Sequence, residues 1–200
     1  MGTEQFCHEV TIFTIAKKQR TDKMKTILLV CTGNTCRSSM AEGILKNLCR
    51  SVNDLKIISA GISAVNGSSA ASKSIEVMKE KEICLLNHTA TVLTEKMVLA
   101  SDLILTMTLA HKHAVISMMP AAKVKTYTLK EYTRKSIANG DDSCLDCCET
   151  KLPQIAKQEP PLIAKNDILD PFGQSIDIYR KTANEIEECL KILCEELGSV

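Results

Sequence analysis

The stretch Lys25-Thr26-Ile27-Leu28-Leu29-Val30-Cys31-Thr32-Gly33-Asn34-Thr35-Cys36-Arg37-Ser38 decides how the rest of the chain is read. Ile27 to Val30 is a continuous apolar run, the pattern of a strand buried on both faces. From Ser38 to Arg50 the residues Met40, Ile44, Leu45 and Leu48 fall on one face of a helix. Between them lies a loop in which a Cys and an Arg stand six positions apart, with Gly and Asn between. A strand end that runs into a helix N-terminus offers unpaired N–H groups and a favourable dipole to an anion. Gly33 permits backbone angles that turn successive N–H groups inward as a nest. Asn34 tolerates a left-handed conformation, and its amide can brace the loop from within. Arg37 can hold two oxygens of a tetrahedral oxyanion through its planar fork. The same positive field favours the thiolate of Cys31, the nucleophilic form, to which Ser38 can donate a hydrogen bond. A buried, inert Cys31 is the bland reading; Gly, Asn and Ser in register, with a strand before and a helix after, speak against it.

Outward from this loop, strand-like and helix-like segments alternate. Strands are predicted at Lys56–Ser59, Asp102–Met107 and Val124–Thr128. Helices are predicted at Ser69–Glu82, Thr94–Ser101, Leu109–Met118 (ended by Pro120) and Ser175–Leu197. In the last of these, Tyr179, Ala183, Ile186, Leu190, Leu193 and Leu197 form a continuous apolar stripe. Such alternation implies an α/β fold, a parallel sheet with helices on both faces. Residues 1–23 read as an N-terminal extension expected to be flexible, either a tag-like segment ahead of a start at Met24 or a genuine extra strand or arm. Residues 24–200 read as a single domain with a loop insertion at about 139–166, where Gly140, Pro153, Pro160 and Pro161 break the pattern.

Composition narrows the function classes. With 25 Lys and Arg against 24 Asp and Glu, a net charge of +1 argues for neither a nucleic-acid nor a membrane partner. Aromatics are only 3%, too few for base-stacking platforms. Ten Cys without a recognisable signal peptide point to a cytoplasmic, reducing compartment rather than a disulfide scaffold. No stretch approaches the ~18 apolar residues of a transmembrane helix.

A thiolate that attacks phosphorus needs a general acid for the leaving group and a base for the water that cleaves the phosphocysteine. Asp170-Pro171-Phe172-Gly173, just before the last helix, supplies one carboxylate for both tasks, although Asp-Pro also opens turns for structural reasons. Phe172 is either a wall of the substrate cleft or an ordinary packing residue.

These residues carry a family resemblance. Val30 to Ser38 followed by Met40-Ala41-Glu42 resembles the signature of the low-molecular-weight protein tyrosine phosphatases. Ser59-Ala60-Gly61, Asp102 to Met107 and Asp170 to Gly173 match as well. Within the family the chain is most similar to the bacterial protein arginine phosphatases. The resemblance implies a flavodoxin-like three-layer fold with four parallel strands, and phosphorylated proteins as substrates. It implies Cys31 as nucleophile, Arg37 as phosphate clamp and Asp170 as general acid, with no metal and no other cofactor. Thr32, Gly33, Asn34, Thr35, Cys36, Ser38 and Phe172 are then the substrate-binding candidates. Tyrosine-directed relatives usually carry an apolar β-branched residue where Thr35 stands, and often Tyr after Asp-Pro. Thr35 and Phe172-Gly173 resemble the arginine group, which implies phosphoarginine as substrate and a protein arginine kinase as counterpart. Ser39 departs from the usual Pro and is expected to loosen the first helical turn slightly.

Alternatives stay open. A tyrosine phosphatase would use the same mechanism. A thioredoxin-coupled arsenate reductase needs a Cys at the end of the third strand, where Leu103 to Thr108 has none. A non-catalytic phosphate-binding module would not need Cys31, Arg37 and Asp170 together. Cys36 is expected either to form a reversible disulfide with Cys31 or to pack under the loop. Cys144, Cys147 and Cys148 form a cluster readable as a zinc site, a redox cluster or incidental residues of a solvated loop. Cys7, Cys49, Cys84, Cys189 and Cys194 are taken as structural; His88, His111 and His113 are assigned no role.

Overall fold

The computed structural model describes residues 25–140 and 166–198. The N-terminal extension, the Cys144 cluster and most of the 139–166 insertion lie outside the described residues.

The apolar run becomes β1 (Lys25–Cys31), and Leu28, Leu29 and Val30 are fully buried. It pairs in parallel with β2 (Leu55–Gly61) on one side and β3 (Leu103–Thr106) on the other, and β3 pairs in parallel with β4 (Thr126–Thr128). The strand order is therefore β2-β1-β3-β4. β1 leads to β2 on one flank, and the chain crosses back over β1 to reach β3 on the other. A crevice opens at such a reversal, beyond the strands' carboxyl ends.

Alternate residues of β1 serve different layers, as strand pleating requires. Ile27, Leu29 and Cys31 join a cluster with α1 (Arg37–Leu48), α2 (Ser72–Glu80) and the last helix, α6 (Ile176–Glu196). Leu28 and Val30 join a second cluster with Val98 of α3 (Glu95–Ala100) and Val115 of α4 (Leu109–Met118). Helices thus cover both faces, giving the predicted three layers. Each fully buried leucine here contributes about 2 kcal/mol through its removal from water. The α6 stripe is buried from Tyr179 to Leu193, and Leu197 packs at its margin.

Two local readings differ. Val124, predicted to open β4, lies in a 3-10 turn (Pro120–Lys125) and is 81% exposed, so only Thr126–Thr128 pairs. Pro120 ends α4 as predicted and starts that turn, its fixed φ suiting a first helical position. A further helix, α5 (Leu129–Gly140), follows β4 and was not predicted. Its start is a capping box: Thr128 Oγ1 accepts from Glu131 N at 3.1 Å, and Glu131 Oε2 accepts from Thr128 N at 3.1 Å.

Candidate active site

Cys31 ends β1 opposite Gly61 at the end of β2. The loop beyond it is fastened to its surroundings by carbonyls. Cys31 O accepts from Ile62 N at 3.0 Å, Thr32 O from Ser63 N at 2.9 Å and Thr35 O from Ala71 N at 2.8 Å. His88 Nε2 lies 2.7 Å from Asn34 O. No peptide among the described residues is cis, and a trans peptide sends the following N–H opposite to its carbonyl. The N–H groups of Gly33, Thr35 and Cys36 therefore face away from the scaffold, as an anion-binding nest requires. Asn34 N instead donates to Cys31 Sγ at 3.3 Å, and Ser38 Oγ lies 2.9 Å from the same sulfur.

Asn34 holds the loop's shape. Its φ is +57°, and it is completely buried. Its Nδ2 donates to Ser38 Oγ at 2.9 Å and to Ser59 Oγ at 2.7 Å, while its Oδ1 accepts from Thr91 N at 2.8 Å. Ser59 in turn donates to Glu42 at 2.5 Å. The left-handed turn predicted here is thus made by Asn34 alone, since Gly33 is not among the positive-φ glycines. The glycine that the loop requires is Gly61. A Cβ there would stand 2.5 Å from Thr32 O, 2.8 Å from Asn34 N and 2.9 Å from Gly33 C, all backbone atoms.

Arg37 opens α1 with its side chain only 5% exposed. Its Nη1 donates to Ile168 O at 3.3 Å, and its Nη2 to Asp170 Oδ2 at 2.5 Å and Thr32 Oγ1 at 3.4 Å. Its Nε is a buried donor with no protein partner. The segment carrying Asp170 is anchored twice before it reaches Arg37. Ile168 N donates to Met107 O at 2.7 Å, and Asp167 Oδ1 accepts Leu109 N of α4 at 2.8 Å. Asp170 Oδ1 also accepts Phe172 N at 3.1 Å, closing a turn that Gly173 completes at φ +77°. Phe172 is 72% exposed, so it packs in no core and stands at the rim beside Asp170.

Cys36 Sγ is buried, 3.5 Å from Tyr179 Oη and 3.7 Å from Thr35 Oγ1. Burial, and then the contact with Cys36, push the Tyr179 phenol well above its ordinary range. Ser39 is fully buried and donates to Cys36 O at 2.8 Å, a fastening of the first turn that proline could not make. Cys84 is exposed, unlike the buried Cys49, Cys189 and Cys194.

Two histidines left without a role by the sequence reading belong to this site. His88 meets the Asn34 carbonyl, as above. His111 is buried, with Nε2 2.9 Å from Thr32 Oγ1 and Nδ1 2.8 Å from Thr108 Oγ1. Burial, and next the nearby Arg37, lower its pKa to about 4. Their one sequence signal is position: His111 lies in the first turn of a helix following a strand's carboxyl end. Among the described residues no cluster of His, Cys, Asp and Glu is arranged to hold a metal, and no helix is long and apolar enough to cross a membrane.

A cysteine sulfur beside a backbone N–H and a serine hydroxyl, loop N–H groups turned from the scaffold, a buried guanidinium and a nearby carboxylate form an arrangement suited to phosphoryl transfer through cysteine. The family model for low molecular weight phosphotyrosine protein phosphatases matches residues 26–143, and the chain belongs to this family. The chain is 37% identical to a protein-arginine-phosphatase of Bacillus subtilis over 172 residues, 86% of this chain and 95% of the relative. It is 34% identical to the protein-arginine-phosphatase of Geobacillus stearothermophilus, over 86% of this chain and 95% of that one. It is 37% identical to a probable low molecular weight protein-tyrosine-phosphatase, EpsP, of Ralstonia nicotianae, over 67% of this chain and 90% of that one. A crystal structure of a YwlE mutant from Bacillus subtilis superposes with a TM-score of 0.69 at 35% identity, covering 87% of this chain and 99% of that one. A cysteine-to-serine mutant of the YwlE arginine phosphatase, with a phosphorylated active-site serine, also gives 0.69, at 36% identity over 86% of this chain and 95% of that one.

Proposed function

We propose that this chain hydrolyses phosphoarginine on proteins through a phosphocysteine intermediate on Cys31. The observation that carries the reading is the setting of Cys31 Sγ, within 2.9 Å of the Ser38 hydroxyl and 3.3 Å of the Asn34 N–H, at the base of the N–H ring. In the first step the Cys31 thiolate attacks phosphorus while the P–N bond to the substrate guanidine breaks. Asp170 gives its proton to the departing nitrogen. In the second step water attacks the phosphocysteine, Asp170 takes a proton from that water, and the P–S bond breaks to return the thiolate. Arg37 and the N–H groups of Gly33, Thr35 and Cys36 stabilise the charge on the equatorial oxygens in both steps.

The phosphoarginine assignment is supported by the two relatives named as arginine phosphatases and by Thr35. Thr35 is half-buried, and among the described residues its hydroxyl makes only a long, weak contact with Cys36 Sγ at 3.7 Å, which leaves it able to bond a guanidinium or the attacking water. Phosphotyrosine is the second reading, favoured by the exposed ring of Phe172, which suits an aryl group at the rim. In the first reading the chain works opposite a protein arginine kinase. The phosphatase domain then spans residues 24–200, with the 139–166 insertion entering just before the acid-bearing segment. The deciding experiment measures kcat/KM for a phosphoarginine compound and a phosphotyrosine peptide side by side, with Cys31→Ala as the blank. A phosphoarginine bias is expected. A phosphotyrosine bias keeps the mechanism and overturns the substrate, and turnover by Cys31→Ala overturns the mechanism.

A further inference from the structure

We propose that His111 is a positioning residue that holds the hydroxyl of Thr32 against Arg37 and so braces the guanidinium for the phosphoryl group. The inference rests on the phosphatase reading above. Thr32 Oγ1 lies 2.9 Å from His111 Nε2 and 3.4 Å from Arg37 Nη2. A guanidinium can only donate, so Thr32 accepts from Arg37. Thr108 Oγ1, which caps α4, accepts from His111 N at 3.3 Å and lies 2.8 Å from His111 Nδ1.

Two hydrogen placements satisfy this chain. In one, Thr108 donates to Nδ1, and Nε2–H donates to Thr32, which leaves the Thr32 hydrogen free. In the other, Nδ1–H donates to Thr108, Thr32 donates to Nε2, and the Thr108 hydrogen is left over. Thr32 is exposed at the mouth of the loop, whereas Thr108 is half-buried. A spare hydroxyl hydrogen costs less where water or an anion can take it. The first placement is therefore favoured. Thr32 then receives two donors, one from each side, and its own hydrogen is turned to the phosphoryl side.

The brace closes a circuit. The acid-bearing segment is tied to α4 through Asp167 and Leu109 N, α4 to Thr32 through His111, Thr32 to Arg37, and Arg37 back to Ile168 O and Asp170. Shifting the imidazole would thus displace the phosphate clamp and the acid together. His111 is buried beside Arg37, with Asp170 and Asp167 also near, and remains neutral; a second cation there would repel the guanidinium. Its imidazole bonds Thr32 and Thr108, not Cys31 or Asp170, so its effect on rate runs through Thr32.

The test is a double-mutant cycle of Thr32→Val and His111→Phe, with Thr32→Ser as the conservative variant. It is read as kcat and KM on a phosphoarginine compound and an aryl phosphate, and as the inhibition constant of inorganic phosphate. Each single variant is expected to lower kcat/KM about tenfold, and the double variant to fall no further than the worse single one. Thr32→Ser, which keeps the hydroxyl, is expected to lose less than Thr32→Val in kcat/KM and in phosphate inhibition. Losses that multiply in the double variant overturn the proposal, since they describe two unconnected residues. If His111→Phe does not fold, Thr32→Val decides: unchanged kcat/KM and phosphate inhibition overturn the brace, and a loss in both supports it. If the wild type binds phosphate but turns over neither substrate, the phosphatase reading fails, and the same cycle read on phosphate affinity judges the brace by itself.

Discussion

Arg37 Nη2 lies 2.5 Å from Asp170 Oδ2, so the residue proposed to clamp phosphate and the residue proposed to move the proton are each other's partners. The two are unequally held. The Arg37 side chain is 5% exposed and Asp170 47% exposed, so an arriving phosphoryl group displaces the carboxylate, not the guanidinium. Asp170→Asn removes the competitor along with the proton carrier. Turnover is expected to fall by about 10²–10⁴, while inorganic phosphate inhibits more tightly. Steady-state rates with phosphate as inhibitor read both effects, and undiminished turnover would remove Asp170 from the mechanism.

Thr35→Ile replaces a hydroxyl with a methyl-bearing branch at the edge of the nest. The ratio of phosphoarginine to phosphotyrosine turnover is expected to fall at least about tenfold, the discrimination that a lost hydrogen bond to a charged group commonly gives. An unchanged ratio would mean that Thr35 is not the selector.

Gly61→Ala places a methyl against three backbone atoms within 2.9 Å. The neighbours belong to the loop itself and have no flexible end to give way. A loss of about 1–3 kcal/mol of stability is expected, together with a fall in kcat/KM larger than the stability loss alone would cause. Chemical denaturation and kinetics on the folded fraction separate the two. A stable, fully active variant would show that the loop yields more easily than its bonding implies.

His111 makes stability depend on pH in a defined window. Its folded pKa is lowered to about 4 from 6.5, first by burial and then by Arg37. Below the unfolded value the unfolded chain binds a proton that the folded chain refuses until about pH 4. The neutral imidazole's contribution is therefore complete above the unfolded value and is lost as the pH falls through the window. The slope from this one group is at most about 1.4 kcal/mol per pH unit. Urea midpoints at about pH 7 and about pH 5 should drop less in His111→Phe than in wild type; parallel curves would contradict the assignment.

Cys31 and Cys36 are both buried, one at each end of the same loop, and Cys36 Sγ lies 3.5 Å from Tyr179 Oη within the core cluster. Peroxide is expected to inactivate the enzyme reversibly, through a disulfide between them that thiols reopen, and Cys36→Ser should convert that loss into an irreversible one. Mass spectrometry of the oxidised chain, with recovery of activity after thiol treatment, checks this. Permanent loss in the wild type without an intramolecular disulfide would leave Cys36 a packing residue.

How much of this was legible in the sequence follows from how local each determinant is. The strand Ile27–Val30, the α6 stripe and the strand-to-helix loop from Cys31 to Arg37 are each legible from local pattern, and all three elements are where the sequence places them. The helix α5 was missed although the Thr128 and Glu131 capping pair was available as a start signal. Val124 misled because an apolar residue near a strand need not be in it. The roles of His88, His111 and Thr91, and the reason for the glycine in Ser59-Ala60-Gly61, escaped for a different reason. Each of these residues meets the loop from tens of residues away, through contacts that no spacing encodes. Nothing in the chain says in advance that Thr91 N will meet an asparagine side chain.

Every polar atom of Asn34 is engaged by the protein: N with Cys31, O with His88, Nδ2 with Ser38 and Ser59, and Oδ1 with Thr91. None is held in reserve for a ligand. The curvature of the nest is thus settled during folding and owes nothing to the anion that enters it. Asn34 has no bond to exchange when a phosphoryl group enters, whereas Arg37 must first exchange its contact with Asp170. Reshaping the loop to suit a different group would break bonds to five residues at once, Cys31, Ser38, Ser59, His88 and Thr91.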